Sequence, residues 1–440
     1  MRRFFQQWFF PIISLLIFSA LLIAMLADMT SIQMSSLVSF SAGLLAYAMM
    51  LTVTFMGSRP RFIERKLGLP EMYEVHAQMS MVAFFMILLH MSLQFSGFDA
   101  LLRSQVTQSG YLAFGSLLIV MFTGIFSLSG TFVNDIPKLR RFKETFMKRE
   151  LALWLHRLAI LAIIAVYAHL MLLPFLASNQ AFVWILTGVT GFVLIYYLYW
   201  KLKIFFGPKV VISEIEAMTD DVWRIAFEGG KLKSYQPGDY FFIRLKGTNL
   251  GGEGHPFSVT SVPDLTNNNR VEFMIKESGD WSNRMKELKV GDRAQLEGPY
   301  GNFVPDNFDS FDGPIVLLSG GIGVTPNLAL ARQENEKGFP RPVHFIWGLA
   351  VASDQFLLEE LNDMAKHDNF HLHVLFSNEE VAGYDHGFIT EDYLTQVQAN
   401  LWQDAHYFAC GPAPMLSAVS SILEARQVDP DRIHIDEFGF

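Results

Sequence analysis

EMYEVHAQMSMVAFFMILLHMSLQFS, residues 71–96, is an apolar stretch that carries two histidines, His76 and His90. A helix that crosses a bilayer needs roughly 20 mostly apolar residues, so this stretch is long enough. An ionisable side chain inside such a helix is costly and usually functional. The two histidines are fourteen residues apart. At about 3.6 residues per turn and about 1.5 Å rise, they fall on nearly one face, about 21 Å apart along the axis. One therefore lies near each side of a membrane. LALWLHRLAILAIIAVYAHLMLLPFL, residues 151–176, repeats the theme with His156 and His169, and no other histidine occurs before residue 255.

Two helices with paired histidines at matching depth can clamp two flat metallo-cofactors, one above the other. Imidazole is a standard axial ligand of haem iron, and an apolar wall excludes water and tunes the iron's potential. The plainer alternative is four histidines that each bond to a neighbour and do nothing more. One piece of arithmetic does not help. Thirteen residues turn an ideal helix by about 220° net, so His156 and His169 share a face only if the helix is distorted or the two groups are offset around it.

Apolar segments lie near 8–27, 35–56, 72–96, 111–130, 151–176 and 181–200. Arg2 and Arg3 before the first run fit a signal peptide too, but the run is long and lacks a clear cleavage site, so it reads as an anchor. Basic residues gather on one set of loops: Arg59, Arg61, Arg65 and Lys66, then Lys138, Arg140, Arg141, Lys143, Lys148 and Arg149, then Lys201 and Lys203. The opposite loops hold only Asp28, Asp99 and Arg103. By the positive-inside rule both termini are cytoplasmic, as in a multi-pass cell-membrane protein. His76 then pairs with His156 on the inner side, and His90 with His169 on the outer. Arg157 is either a buried partner for a haem propionate or an arginine that snorkels to the cytoplasmic face.

The 440 residues carry a formal charge of −9 and a single cysteine, Cys410. One cysteine excludes an internal disulfide and a cysteine-ligated iron–sulfur cluster within this chain. The soluble half has no basic stripe, which argues against nucleic acid as a partner. No internal repeat stands out beyond the paired histidines. After residue 206, short alternating runs separated by turn residues predict a small antiparallel β-barrel over 206–312, with a helix capped by Ser282. From 313 to 440, strands alternate with helices, the pattern of a doubly wound α/β nucleotide-binding domain. The expected architecture is thus a six-span helical membrane bundle (1–205), a β-barrel and an α/β domain. The turn Gly320-Gly321-Ile322-Gly323-Val324-Thr325-Pro326 sits between a strand and a helix, where glycines and a helix N-terminus suit a pyrophosphate.

HPFSVTS (255–261), MIKESGDWSN (274–283), GPYGNF (298–303), GGIGVTP (320–326), CGP (410–412) and a final EFGF occur in this order. Behind six spans with paired histidines, the set resembles the ferric reductase and NADPH oxidase superfamily. The resemblance extends over nearly the whole chain, and it accommodates the thirteen-residue spacing. It implies FAD and two b-type haems as cofactors and NAD(P)H as electron donor. His255, Pro256, Phe257 and Ser258 would hold FAD, with Phe257 on the isoalloxazine and Ser258 near its reactive nitrogen. His255 stands where soluble relatives carry an arginine. Lys276 and the amides around Ser282 would meet FAD phosphates. Gly320, Gly321, Gly323 and Thr325 would take the NAD(P)H pyrophosphate. Cys410 and Gly411 would approach the nicotinamide, and Phe440 would cover the flavin until nicotinamide displaces it. Ser258, Cys410 and Phe440 are thus the residues expected nearest the hydride transfer. No general acid–base pair is needed, and none is evident.

Superoxide-producing members carry a histidine one turn after the outer ligand of span three, and an arginine from the span-two region. Here Gln94 fills the first position, and span two has no arginine near its outer end. The expected function is therefore electron transfer from cytoplasmic NAD(P)H, through FAD and two bis-histidine haems, to a ferric or other small acceptor across the lipid bilayer. The alternatives are a superoxide-generating oxidase and a haem-bearing relay that serves a partner redox protein. Ser377-Asn378-Glu379-Glu380 leans towards NADH over NADPH.

Overall fold

The computed structural model describes residues 2–27, 29, 32–94, 105–125, 136, 138, 141, 149–230, 232, 234–247, 252–263, 269–305, 307–311, 313–397 and 401–437. The chain forms two compact units, Met1–Phe205 and Phe206–Phe440.

The first unit is helical among its described residues. Its helices are α1 (Arg2–Ala27), α2 (Met34–Gly57), the short α3 (Arg61–Leu67), α4 (Leu69–Gln94), α5 (Gln105–Thr123), α6 (Arg149–His156), α7 (Ala159–Met171), α8 (Pro174–Ala177) and α9 (Gln180–Phe205). Among the described residues, six helical stretches are long and apolar enough to cross a bilayer, with α6 and α7 together supplying the fifth. The fourth begins at Gln105, earlier than the sequence suggests, and the expected part over 126–130 lies outside the described residues. α2 is 56% buried, against 17–28% for the other five, so it is the core of the bundle. The others turn large apolar side chains outward, among them Ile23, Trp184 and Ile195 at 68%, 75% and 70% exposure. Water would penalise that surface; hydrocarbon would not. Several polar groups inside are paired, as low dielectric favours. Ser14 donates to Thr52 at 2.9 Å, Tyr47 and Thr190 bond at 2.9 Å, and Asn179 donates to the Ala24 carbonyl at 2.7 Å.

The expected fifth span is not one unbroken helix. It is interrupted at Arg157 and Leu158, directly after His156. There the Leu158 amide bonds to the Leu155 carbonyl at 3.0 Å and the Ile160 amide to the Arg157 carbonyl at 3.2 Å, both three residues back. Such a tightened turn advances by about 120° per residue instead of about 100°. The phase calculated for an ideal helix therefore does not apply across it. Arg157 itself is exposed at the protein surface beside this break, a position that suits either role expected from the sequence.

The second unit begins with six antiparallel strands: β1 (Lys209–Ala217), β2 (Val222–Glu228), β3 (Tyr240–Lys246), β4 (His255–Ser258), β5 (Arg270–Lys276) and β6 (Arg293–Tyr300). Their order is β4-β3-β6-β1-β2-β5, and a bridge from Val259 to Phe273 joins the two ends. Ile212, Ile225, Phe241, Ile243, Phe273 and Leu296 fill the interior. Strands β7 (Ile315–Gly320), β8 (Val343–Leu349), β9 (Phe370–Phe376), β10 (Asp385–His386), β11 (His406–Gly411) and β12 (Ile433–Glu437) follow. They form a parallel sheet ordered β10-β9-β8-β7-β11-β12. α10 (Val324–Glu336), α11 (Leu358–Met364), α12 (Glu391–Val397) and α13 (Ala413–Ala425) connect them. All six residues of β7 are buried, with Leu317 in the core on one face and Val316 and Leu318 in that on the other. A parallel strand covered on both faces reads as a continuous apolar run, and IVLLSG does.

Arg332 on α10 ties the two parts of this unit together. It donates to the Thr260 carbonyl and the Glu272 carboxylate of the barrel, each at 2.8 Å, and to Glu360 on α11 at 2.6 and 2.9 Å. A planar guanidinium can hold several acceptors in fixed directions, so this contact sets how the barrel meets the α/β sheet.

Candidate functional site

The four histidines of the first unit come together in two pairs. The ring centroids of His76 and His156 are 6.1 Å apart, and those of His90 and His169 are 6.4 Å apart. Each Nδ1 faces a backbone carbonyl. The contacts are His76 to Val53 at 3.1 Å, His90 to Ser39 at 2.9 Å, His156 to Val120 at 3.2 Å and His169 to Val106 at 2.9 Å. A carbonyl only accepts, so each Nδ1 carries the ring proton and each Nε2 keeps its lone pair. This is how a protein orients an imidazole for a metal. A metal held end-on by two imidazoles, with bonds of about 2 Å to nitrogen, sets ring centroids about 6 Å apart. Both pairs match that span. Each pair offers two imidazole donors, a set whose chemistry fits a porphyrin iron; among the described residues no group of three or more histidine, cysteine or acidic side chains could hold a metal.

The carbonyls belong to a pattern that the histidines alone did not reveal. On α2 the accepting residues are Ser39 and Val53, each followed four residues later by glycine, Gly43 or Gly57. Val106 and Val120, on the fourth apolar segment, have Gly110 and Gly124 at the same offset. Within each helix the two units are fourteen residues apart, the interval between His76 and His90. A Cβ at Gly43 would sit 3.1 Å from His90 Nδ1, one at Gly110 3.2 Å from His169 Cε1, and one at Gly124 3.5 Å from His156 Cε1. At Gly57 a Cβ would meet nothing within 4 Å. Gly43 and Gly110 thus clear room for a ring against a neighbouring helix, while a Cβ at Gly124 would make only an ordinary contact. The sequence does contain a repeat beyond the histidines, and glycine spacing is its signal.

In the barrel, β4 pairs with β3 so that Tyr240 faces Ser258, Phe241 faces Phe257, Phe242 faces Pro256 and Ile243 faces His255. Ser258 is 3% exposed, and its Oγ is buried without a hydrogen-bond partner among the described residues. A buried orphan hydroxyl is uncommon and calls for a ligand or water. Trp281, which the sequence reading passed over, stacks on His255 at 4.5 Å and on Phe257 at 5.5 Å. An indole in a polar loop between Asp280 and Ser282 was the available clue. Ser282 does not cap an α-helix. It lies in a 3-10 segment, Ser282–Glu287, entered through Trp281. Its hydroxyl instead accepts from the Ser278 and Gly279 amides at 2.9 and 3.0 Å, which closes the loop. Lys276 sits between Asp221 at 3.3 Å and Asp354 at 3.5 Å.

In the parallel sheet, β7 lies between β8 and β11, and the chain order reverses there. Ligands of such sheets bind beyond the strand C-termini at that reversal. Gly320, Gly321 and Gly323 end β7 and turn into α10, with Gly321 at φ +53°. Cys410 and Gly411 end β11 alongside. A Cβ at Gly323 would fall 2.5 Å from the Cys410 carbonyl oxygen. Thr325, 3% exposed, lies in the first turn of α10. Asn327, which sequence reasoning missed, donates to the Leu318 carbonyl at 3.1 Å and to Ser319 Oγ at 2.9 Å, and reaches the Phe408 carbonyl at 3.4 Å. It pins β7 to β11 beneath the turn. Burial, with Asp436 adding to it, pushes the Cys410 thiol well above its usual range, so it is neutral at pH 7 and not a nucleophile. Glu379 accepts from the Ala352 amide at 2.8 Å. Phe440 lies outside the described residues.

Residues 208–304 match the model of an FAD-binding domain, and residues 317–421 that of an oxidoreductase NAD-binding domain. The reductase component of propane 2-monooxygenase from Mycolicibacterium goodii is 31% identical over 241 residues, 52% of this chain and 67% of that protein. The electron transfer component of toluate 1,2-dioxygenase from Pseudomonas putida is 26% identical over 53% of this chain and 68% of its own length. The chain thus spans about two thirds of the length of these relatives. The flavohem-like FAD/NAD-binding domain of nitric oxide dioxygenase from Vibrio cholerae superposes with a TM-score of 0.46 at 23% identity, over 53% of this chain and 99% of that one.

Proposed function

The chain belongs to the family of FAD- and NAD-binding oxidoreductases that includes these reductase components, and from that footing we propose that it is a transmembrane flavocytochrome b. It takes electrons from NAD(P)H on the cytoplasmic side and delivers them to a ferric chelate or another small acceptor across the bilayer. One observation carries the reading: two imidazole pairs, spaced 6.1 and 6.4 Å between centroids, inside a bundle whose outer surface is apolar. When bound, FAD would supply exchange between a two-electron hydride and single electrons, and haem would supply one-electron carriage.

The chain's own part is to hold and insulate. His76 with His156, and His90 with His169, would ligate the two haems, each ring kept in its tautomer by a carbonyl. The domains in this proposal are 1–205 for haem, 206–312 for FAD and 313–440 for NAD(P)H. Ser258 would spend its orphan hydroxyl on the flavin. His255, Pro256, Phe257 and Trp281 would form an aromatic wall beside it. Lys276, if it exchanges a carboxylate for phosphate, and the loop closed by Ser282 would meet the FAD phosphates. Gly320, Gly321, Gly323 and Thr325 would admit the NAD(P)H pyrophosphate at a helix N-terminus. Cys410 and Gly411 would flank the nicotinamide, and Phe440 would cover the flavin. Glu379 beyond β9 suits a ribose 2′-hydroxyl better than a 2′-phosphate, which favours NADH. A second reading is delivery to a partner redox protein, favoured by relatives that are themselves components of oxygenase systems.

Ser258→Ala separates binding from folding. It removes a hydroxyl that has no partner among the described residues, so thermal stability without flavin should hold. FAD affinity or the rate of flavin reduction should fall about tenfold, the scale of one hydrogen bond to a polarised group. Unchanged flavin binding and reduction would remove Ser258 from the site. The function as a whole is tested in inverted membrane vesicles loaded with an impermeant ferric chelate. NADH added outside should reduce the trapped chelate, insensitive to superoxide dismutase. No reduction inside, with normal flavin turnover outside, would refute transfer across the membrane.

A further inference from the structure

The two imidazole pairs are not equivalent at Nδ1. Among the described residues, His76 Nδ1 faces only the Val53 carbonyl, at 3.1 Å. Among the described residues His156 Nδ1 faces only the Val120 carbonyl, at 3.2 Å, and that oxygen also accepts the Thr123 hydroxyl at 2.9 Å. At the other pair each ring meets a serine oxygen as well. Ser109 Oγ lies 3.2 Å from His169 Nδ1, and Ser39 Oγ lies 3.1 Å from His90 Nδ1. Ser109 gives its proton to the Val106 carbonyl at 2.8 Å, the acceptor that His169 uses, so its addition is partly offset.

Ser39 has no such offset. It is fully buried. Its carbonyl accepts from His90 Nδ1 at 2.9 Å, and its hydroxyl proton goes elsewhere, to the His90 carbonyl at 3.3 Å. The Oγ lone pairs are left to accept, from His90 Nδ1 and from Gln94 Nε2 at 3.0 Å. Gln94 stands one turn beyond His90 on α4 and is exposed. One residue therefore offers two acceptors to one imidazole N–H, and a surface amide competes for the second. A stronger pull on Nδ1–H makes the ring a better donor through Nε2, which favours the oxidised metal.

We propose that Ser39 is a positioning residue that lowers the reduction potential at the His90–His169 site, and that Gln94 moderates it. The inference rests on the haem reading above. It makes the far-side site the stronger reductant than its ligands alone would give, which suits an acceptor that is itself hard to reduce.

The test is spectroelectrochemical titration of the full-length, detergent-solubilised protein. Ser39→Ala keeps the backbone carbonyl and should raise one haem midpoint, by about fivefold in the reduction equilibrium, the scale of one net hydrogen bond. The other midpoint should stay put. Gln94→Ala frees Ser39 Oγ to accept more fully from His90 and should lower the same midpoint. Opposite signs from two neighbours are not what loosened packing would produce. Gln94 is exposed, so its variant decides the matter if Ser39→Ala fails to load the outer haem. Two bound haems with both midpoints unmoved in these variants, or moved the same way in both, would overturn the inference and leave the haem reading standing. A wild-type protein with flavin but less than one haem would overturn both.

Discussion

His90→Leu is expected to stop reduction of a far-side acceptor while NAD(P)H still reduces the flavin at the wild-type rate. Leucine fills similar volume but offers no lone pair, so the pair with His169 loses one of its two donors. The Ser39 carbonyl at 2.9 Å loses its donor as well. The inner pair, His76 and His156, has its own carbonyls at Val53 and Val120, and it should retain its haem. The purified variant should therefore hold one haem fewer per chain. Far-side reduction should drop by at least about 100-fold, beyond the loss expected from disturbing only an outer partner of a metal ligand. The check is haem content beside vesicle assays of both half-reactions. Normal far-side reduction with full haem content would show that His90 does not hold the outer group.

Gly323→Ala should cripple the other end of the chain. The added Cβ would lie 2.5 Å from the Cys410 carbonyl oxygen and 2.7 Å from the Gly411 Cα. Both are backbone atoms, so neither can turn aside as a flexible side chain could. Either the end of β11 or the start of α10 must move, which costs about 1–3 kcal/mol or more as overpacking. That displacement lies where Cys410 and Gly411 flank the turn, and a shift of about 1 Å in a reacting geometry costs roughly 100-fold in rate. Stopped-flow reduction of the flavin by NADH should slow by about that factor, with haem content unchanged. A wild-type rate would mean that the turn does not shape the nicotinamide site.

The second unit was the more legible part. IVLLSG over 315–320 is apolar throughout because β7 is covered on both faces, and the glycine turn after it lies where the sheet reverses. The positions of His76, His90, His156 and His169 were also readable, and so was their pairing. What hid was the way the second histidine helix brings its rings into line. A local tightening at Arg157 and Leu158 leaves no strong mark in composition, because neither residue is proline or glycine. The carbonyl cradles were hidden for a related reason. Backbone oxygens have no letter in the sequence, and only the glycines at 43, 57, 110 and 124 betray them. Trp281 and Asn327 were missed because each acts through contacts made in three dimensions, one by stacking on β4 and the other by bridging β7 to β11. Ser282 misled for the opposite reason. Its place before a polar helical run fits a cap, but its hydroxyl is engaged by amides that precede it.

The most direct measurement is haem stoichiometry. The full-length protein, purified from cells supplied with excess porphyrin precursor, is assayed by pyridine haemochrome against its flavin content. Two b-type haems per FAD, falling to one in His90→Leu, is the result expected here. A flavin-loaded chain with less than one haem would contradict it.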